Sequence, residues 1–172
     1  MNIPVVDLPK PKRSVRTPHI NVRMAEASDA KQLAVFLGEF FHLSGWAKHL
    51  KYHQEKTERY LENAVGTQFA MYVIALDTLD NNKLVGVCSY HVFEVFSEPM
   101  GVMDETYTIP KYQRTDLGRR LVDMVITLAR RDGCKVINFP ICSGMPEQNS
   151  LMNMIGRHFG GEPVGMIFTV VL

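Results

Sequence analysis

The sequence predicts an α/β domain, a mixed sheet with helices on its faces. Three observations carry that expectation. Two extended apolar runs, Phe69–Leu76 and Leu84–Phe93, flank the turn signal Asp80-Asn81-Asn82 and read as a hairpin. A third run, Val102–Ile109, ends at Pro110 and is followed by the amphipathic stretch Leu117–Arg131 and the short strand Val136–Pro140, a crossover back into the sheet. The whole order is strand, two helices, three strands, helix, strand, helix, strand. That order suits a sheet covered by helices.

The elements follow from local signals. Ile20–Met24 reads as a short strand. Ser28 or Asp29 is placed to cap the next helix, which runs to about Leu43. Its apolar residues Leu33, Ala34, Leu37, Phe40 and Phe41 recur at helical spacing, and Gly45 breaks the run. Residues 46–53 are mixed and read as a loop or short helical turn. Glu55–Val65 is a second helix, ended by Gly66. Val95–Met100, with Pro99, reads as a connection between strands. In the helix Leu117–Arg131 the apolar set is Leu117, Leu121, Val122, Met124, Val125 and Leu128, and Gly133 closes it. Ser150–Phe159 is a last helix and Val164–Leu172 a last strand.

Residues 1–18 stand apart. Pro4, Pro9, Pro11 and Pro18 are interspersed with Lys10, Lys12, Arg13 and Arg16. Prolines this dense block regular structure. The segment is expected to be a basic arm, mobile or laid over a neighbouring subunit, outside a domain formed by residues 19–172.

Composition narrows the classes of function. At 172 residues the chain has the size of one domain with a sizeable core. Nineteen Lys and Arg balance eighteen Asp and Glu, which gives no electrostatic case for nucleic acid or membrane binding. Three cysteines, Cys88, Cys134 and Cys142, are too few and too scattered for a disulfide framework or a zinc site, and no metal is expected. Reduced thiols, no long apolar run and no signal-like start point to a cytoplasmic protein.

Few residues invite chemistry. The loop Gln113–Gly118 turns from strand into helix. Loops of this kind expose backbone N–H groups that bind anions, and Arg114 and Arg119 stand beside it. The same residues suit an ordinary helix start, with Thr115 or Asp116 as cap. On the strand before it, alternation sets Val102, Asp104, Thr106 and Thr108 on one face and Met103, Glu105, Tyr107 and Ile109 on the other. Glu105 is then the acid in the more apolar company, and such a carboxylate can serve as a base near neutral pH. A salt-bridged carboxylate at a strand edge is the alternative. His42, His49 and His53 gather near Trp46 and Tyr52, which suits a polar, aromatic rim or plain surface histidines. Cys88 is expected in the core. Cys142, in a loop, is the more accessible thiol, with no base nearby to activate it.

Taken together, residues 20–172 resemble the GNAT acyltransferase superfamily, whose members transfer an acyl group from coenzyme A to an amine. Arg23-Met24-Ala25-Glu26-Ala27-Ser28-Asp29-Ala30 looks like its opening strand and helix start. Gln113-Arg114-Thr115-Asp116-Leu117-Gly118 resembles its pyrophosphate-binding motif. The resemblance implies a mixed, mostly antiparallel, twisted sheet flanked by helices, with acetyl-CoA as acyl donor. It assigns coenzyme contacts to Ile109, Arg114, Thr115, Asp116, Leu117, Gly118 and Arg119, partly through backbone, and to Asn149 near the pantetheine arm. It makes Glu105 the general base. Two departures stand out. Asp116 lies where glycine is usual, a negative charge beside a predicted pyrophosphate. Gly156 lies where many members carry a tyrosine that protonates the leaving thiolate, which leaves water or Tyr107 for that step. Gly161 also replaces a usual phenylalanine, and the Glu162-Pro163-Val164-Gly165 turn resembles that before the family's last strand. The compact form looks like small acetyltransferases of bacteriophages and bacteria. The implied acceptor is a small amine or the amine of a peptide or protein, entering beside residues 42–53, and a homodimer is expected. The departures also suit a noncatalytic coenzyme-binding sensor or a structural protein on the same fold.

Overall fold

The computed structural model describes residues 15–67, 71–140 and 148–161. Five strands form one sheet in the order β1-β2-β3-β4-β5: β1 Ile20–Met24, β2 Met71–Asp77, β3 Lys83–Val95, β4 Glu98–Thr108 and β5 Val136–Asn138. The first four pair antiparallel and β5 pairs parallel with β4. The mixed, mostly antiparallel α/β sheet expected from the sequence is therefore present. The predicted last strand, Val164–Leu172, lies outside the described residues.

Helices cover both faces. Helix α1 (Ala30–Leu43) and α2 (Gln54–Ala64) bury Leu33, Ala34, Phe36, Leu37 and Leu61 against Tyr72, Ile74, Leu76, Val87 and Tyr107. Helix α3 (Leu117–Arg131) buries Leu117, Leu121, Val122 and Val125 against Val73, Ala75, Val85, Cys88 and Met103 on the opposite face. Side chains of α4 (Gln148–Phe159), among them Leu151 and Met154, pack on that second core. The two sets alternate along β2, as a half-buried strand would, but here both faces are dry. A fully buried leucine contributes about 1.5–3 kcal/mol, so α3 is anchored chiefly by this stripe.

Helix α3 has the predicted limits. Gly133 adopts φ +82°, a conformation open to glycine, and its N–H bonds Arg130 O while Cys134 N–H bonds Ala129 O. That pair of bonds is a Schellman stop. Gly86 is where α3 comes closest to β3: a Cβ there would lie 3.1 Å from Leu121 Cδ1. The predicted cap Asp29 makes no cap bond at α1. Its carboxylate takes a two-pronged bond from Arg23 at 2.7 and 2.8 Å instead.

Both hairpin turns have two residues at positive φ. Asn81 and Asn82 were legible as such a turn; Phe96 and Ser97 were not, and they extend the β3–β4 ladder to Val95 opposite Glu98. The predicted connection Val95–Met100 is therefore a tight turn, with Pro99 inside β4. Among the described residues no helix is long and apolar enough to cross a membrane.

Candidate active site

The site begins with an irregularity in β4. Cys88 stands opposite Thr106 and Tyr90 opposite Met103, which leaves Asp104 and Glu105 together facing Ser89. This is a β-bulge, and it shifts the alternation by one. Met103 packs toward α3 while Tyr107 packs toward α1 and α2. The single face expected for Met103, Glu105 and Tyr107 is thus broken. Thr106 bonds Met103 Sδ and contacts Cys88 on the α3 side. Asp104 and Glu105, expected on opposite faces, both line one cavity.

That cavity, about 320 Å³, is walled by Tyr60 of α2, Tyr72 of β2, Ser89, Tyr90 and His91 of β3, and the two acids. Glu105 is half-buried. Its carboxylate accepts a hydrogen bond from the Ser89 hydroxyl, and its N–H donates to Ser89 Oγ at 3.0 Å. Burial pushes its pKa above the ordinary carboxyl value, the Ser89 bond pulls against that, and the Asp104 charge adds to the rise. Asp104 pairs with His91 Nδ1 at 2.7 Å. Burial also pushes up the Tyr72 phenol. Tyr107, two residues beyond Glu105 on the same face, is 7% exposed and packs its ring against Phe36 and Phe40.

The expected rim is placed elsewhere. Trp46, His49 and His53 do not line this cavity. Tyr52 is folded onto α1, where its hydroxyl bonds Ala34 O. Ser89, His91, Tyr60 and Tyr72 line it instead. The strand register is what brings Ser89 and His91 beside the two acids. Cys88 is fully buried and its thiol is pushed up to about 12 by that burial, so it is a core residue. Cys142 lies outside the described residues. Among the described residues no three metal-binding side chains converge.

Among the described residues strand β5 pairs with β4 only from Met100 to Val102, and β4 continues to Thr108. Next comes the loop into α3. Ile109 N–H bonds Val85 O, Gln113 Nε2 bonds Thr108 O, and Arg114 takes φ +65°. Thr115 Oγ1 accepts from Leu117 N–H, so Thr115 satisfies the first orphan donor of α3. Leu117 is fully buried and offers a ligand only backbone. At Gly118 a Cβ would meet nothing within 4 Å. No acceptor for the Gly118 and Arg119 N–H groups is found among the described residues. Arg114 is exposed, and Arg119 pairs with Asp123 at 3.2 Å. Open space, two N–H donors with no acceptor among the described residues, and arginine fit a phosphate.

Asp116 does not spoil that fit. Its Oδ1 accepts from Thr17 N–H at 3.0 Å and Thr17 Oγ1 at 2.6 Å, and it caps no α3 donor. Its own N–H bonds Val15 O, and Val15 bridges Thr115. Arg120 donates to Thr17 O at 2.8 Å and Ile20 O at 2.7 Å. The described end of the basic arm, at Val15 and Thr17, is thus tied to the loop of its own chain. Asn149 lies on α4, and its side chain is outside what the structure describes. Gly156, also on α4, has no side chain to donate a proton.

Known folds match this architecture. An aminoglycoside acetyltransferase from an uncultured soil metagenomic sample, in complex with sisomicin, superposes with a TM-score of 0.66 at 15% identity, over 90% of this chain and 97% of that one. Ribosomal-protein-alanine N-acetyltransferase from Brucella melitensis biovar Abortus 2308 gives 0.65 at 16%, over 89% and 99%. Glucosamine-6-phosphate N-acetyltransferase from Arabidopsis thaliana gives 0.66 at 15%, over 88% and 97%. At these identities the likeness is one of fold. No curated protein matches the sequence. The acetyltransferase (GNAT) family profile matches residues 38–160. With the sheet and the loop into α3 already in place, that match shows that the chain belongs to the GNAT family of acetyltransferases.

Proposed function

We propose that the protein transfers the acetyl group of acetyl-CoA to a primary amine by direct attack. The observation that carries this is Glu105: a half-buried carboxylate of β4, held by Ser89, in a cavity shared with Asp104. Bound at the loop, acetyl-CoA supplies an activated carbonyl. Arg114, Arg119 and the N–H groups of Gly118 and Arg119 hold its phosphates, with Thr115, Asp116 and Leu117 shaping the loop and Ile109 and Asn149 lying along its arm. An acceptor arrives as an ammonium ion, which the acids Asp104 and Glu105 and the tyrosines of the cavity favour. Glu105 removes a proton, directly or through a water, because its raised pKa makes it a stronger base than an ordinary carboxylate. The amine nitrogen bonds to the carbonyl carbon and gives up its second proton to water, the C–S bond breaks, and Tyr107 or water returns a proton to the thiolate.

The acceptors for which the structural neighbours are named range from aminoglycosides to a ribosomal protein. The cavity here suits the small end of that range. Calorimetric titration with acetyl-CoA tests the donor, with Arg114→Ala expected to weaken binding. A screen of small amines and peptides, with Glu105→Gln as control, tests the acceptor. Lack of binding by the native protein would overturn the reading.

A further inference from the structure

Asp116 is the one residue of the loop whose chemistry conflicts with an anion site, and the structure gives it an unusual set of partners. Aspartate is among the best N-cap residues, and a capping carboxylate accepts from the N–H groups of the second and third helical residues. In α3 those are Gly118 and Arg119. Asp116 occupies the N-cap position yet makes no cap bond. Its backbone is helical, at φ −77° and ψ −5°, whereas capping residues favour extended backbone. Its Oδ1 is held instead by both donors of Thr17, a residue 3% exposed. Thr17 is fixed in turn by Arg120 through its carbonyl and hydroxyl oxygens.

We propose that Thr17 is a positioning residue for the coenzyme site: it holds the Asp116 carboxylate away from its own helix, so that the Gly118 and Arg119 N–H groups stay free for phosphate. The proposal rests on the reading of this loop as the phosphate site. Without the tether, the carboxylate turns to cap α3 and competes with the ligand for the same two donors. The negative charge then also stands at the helix N-terminus, where it repels phosphate. The described end of the arm thereby sets the affinity of a loop far along the chain.

The test is calorimetric titration of the full chain with coenzyme A. Thr17→Val, which lacks the hydroxyl, is expected to weaken binding about tenfold, the strength of a typical helix cap. Thr17→Ser keeps the hydroxyl and restores the affinity. The double variant Thr17→Val/Asp116→Gly recovers most of the loss, because no carboxylate remains to compete; a merely structural role for Thr17 gives no such recovery. Native affinity in Thr17→Val, or a loss that Asp116→Gly does not repair, overturns the proposal. Should Thr17→Val fail to fold, Asp116→Gly alone decides: near-native binding is expected, because the tethered carboxylate is already out of the way, while tighter binding would show it competing in the native chain and weaker binding would show it aiding the site, and either overturns the proposal. Amide exchange separates this idea from the loop reading. If the native chain binds no coenzyme A, the loop reading fails. Slower exchange at Gly118 and Arg119 in Thr17→Val then still reports the released cap, and unchanged exchange denies it.

Discussion

Glu105 and Asp116 are two acids placed where the surrounding pattern resists a charge, and the fold treats them in opposite ways. Glu105 sits on a bulge with one side-chain partner, Ser89, and a second acid, Asp104, beside it. Burial outweighs the single hydrogen bond, so its proton is held more tightly than usual. Asp116 receives an N–H and a hydroxyl from Thr17 on one oxygen and is turned away from the helix it begins. The first acid is left reactive and the second is occupied. The contrast lies in the number of donors and in what each carboxylate faces.

The largest expected effect breaks the contrast at Glu105. Glu105→Gln should lower kcat by about 10²–10⁴ while leaving the fold intact, the usual contribution of a general base. The sign of the pH dependence follows from the raised pKa. The native rate climbs as pH rises through the Glu105 pKa, above the ordinary carboxyl range, and the variant loses that limb. Stability runs the other way. A carboxyl whose folded pKa is raised stabilises fully below its unfolded pKa, near 4.3, and loses that contribution as pH rises through the folded value. Thermal melts at pH 5 and pH 8 should therefore show the native protein losing more than the glutamine variant.

Next in size is the far side of the comparison. Arg120→Met removes the donors to Thr17 and Ile20 and should cost about 1–3 kcal/mol in urea unfolding. An unchanged midpoint would mean that the arm contributes nothing to the folded state. Tyr107→Phe should slow turnover about tenfold if the phenol returns the proton, and less than twofold if water does. Its ring packing on Phe36 and Phe40 is kept either way. The smallest effect is Ser89→Ala. Its hydrogen bond favours the charged form of Glu105, so its loss moves the acid limb of the rate profile to higher pH. A limb displaced to lower pH would contradict the assigned role of that bond.

How much of this could be read in the chain depends on the range of the interaction. Helix α3 was legible to the residue, because Leu117, Leu121, Val125 and Leu128 repeat at helical spacing and Gly133 ends the run within the same stretch. The turn at Asn81-Asn82 was legible for the same local reason. Phe96-Ser97 was not, because neither residue advertises positive φ. The bulge at Asp104-Glu105 was hidden, since alternation along one strand cannot reveal two residues facing one on the next. For that reason Glu105 was read among apolar neighbours on a face with Met103, Asp104 was assigned to the opposite face, and Ser89 and His91 were missed. Asp116 was legible as an anomaly. Its partner Thr17 was not, being 99 positions away with nothing local to mark it.

That separation has a consequence for how the molecule comes together. A contact spanning 99 positions costs chain entropy that must be met before the contact repays it. The hairpins β2–β3 and β3–β4 close over short turns and can organise first. The strand β1, the arm beside it and the start of α3 meet only once that meander exists to receive them. The loop at Asp116 is accordingly among the last parts of the protein to acquire its final shape, so during refolding the capacity to bind coenzyme should emerge after the sheet signal is complete.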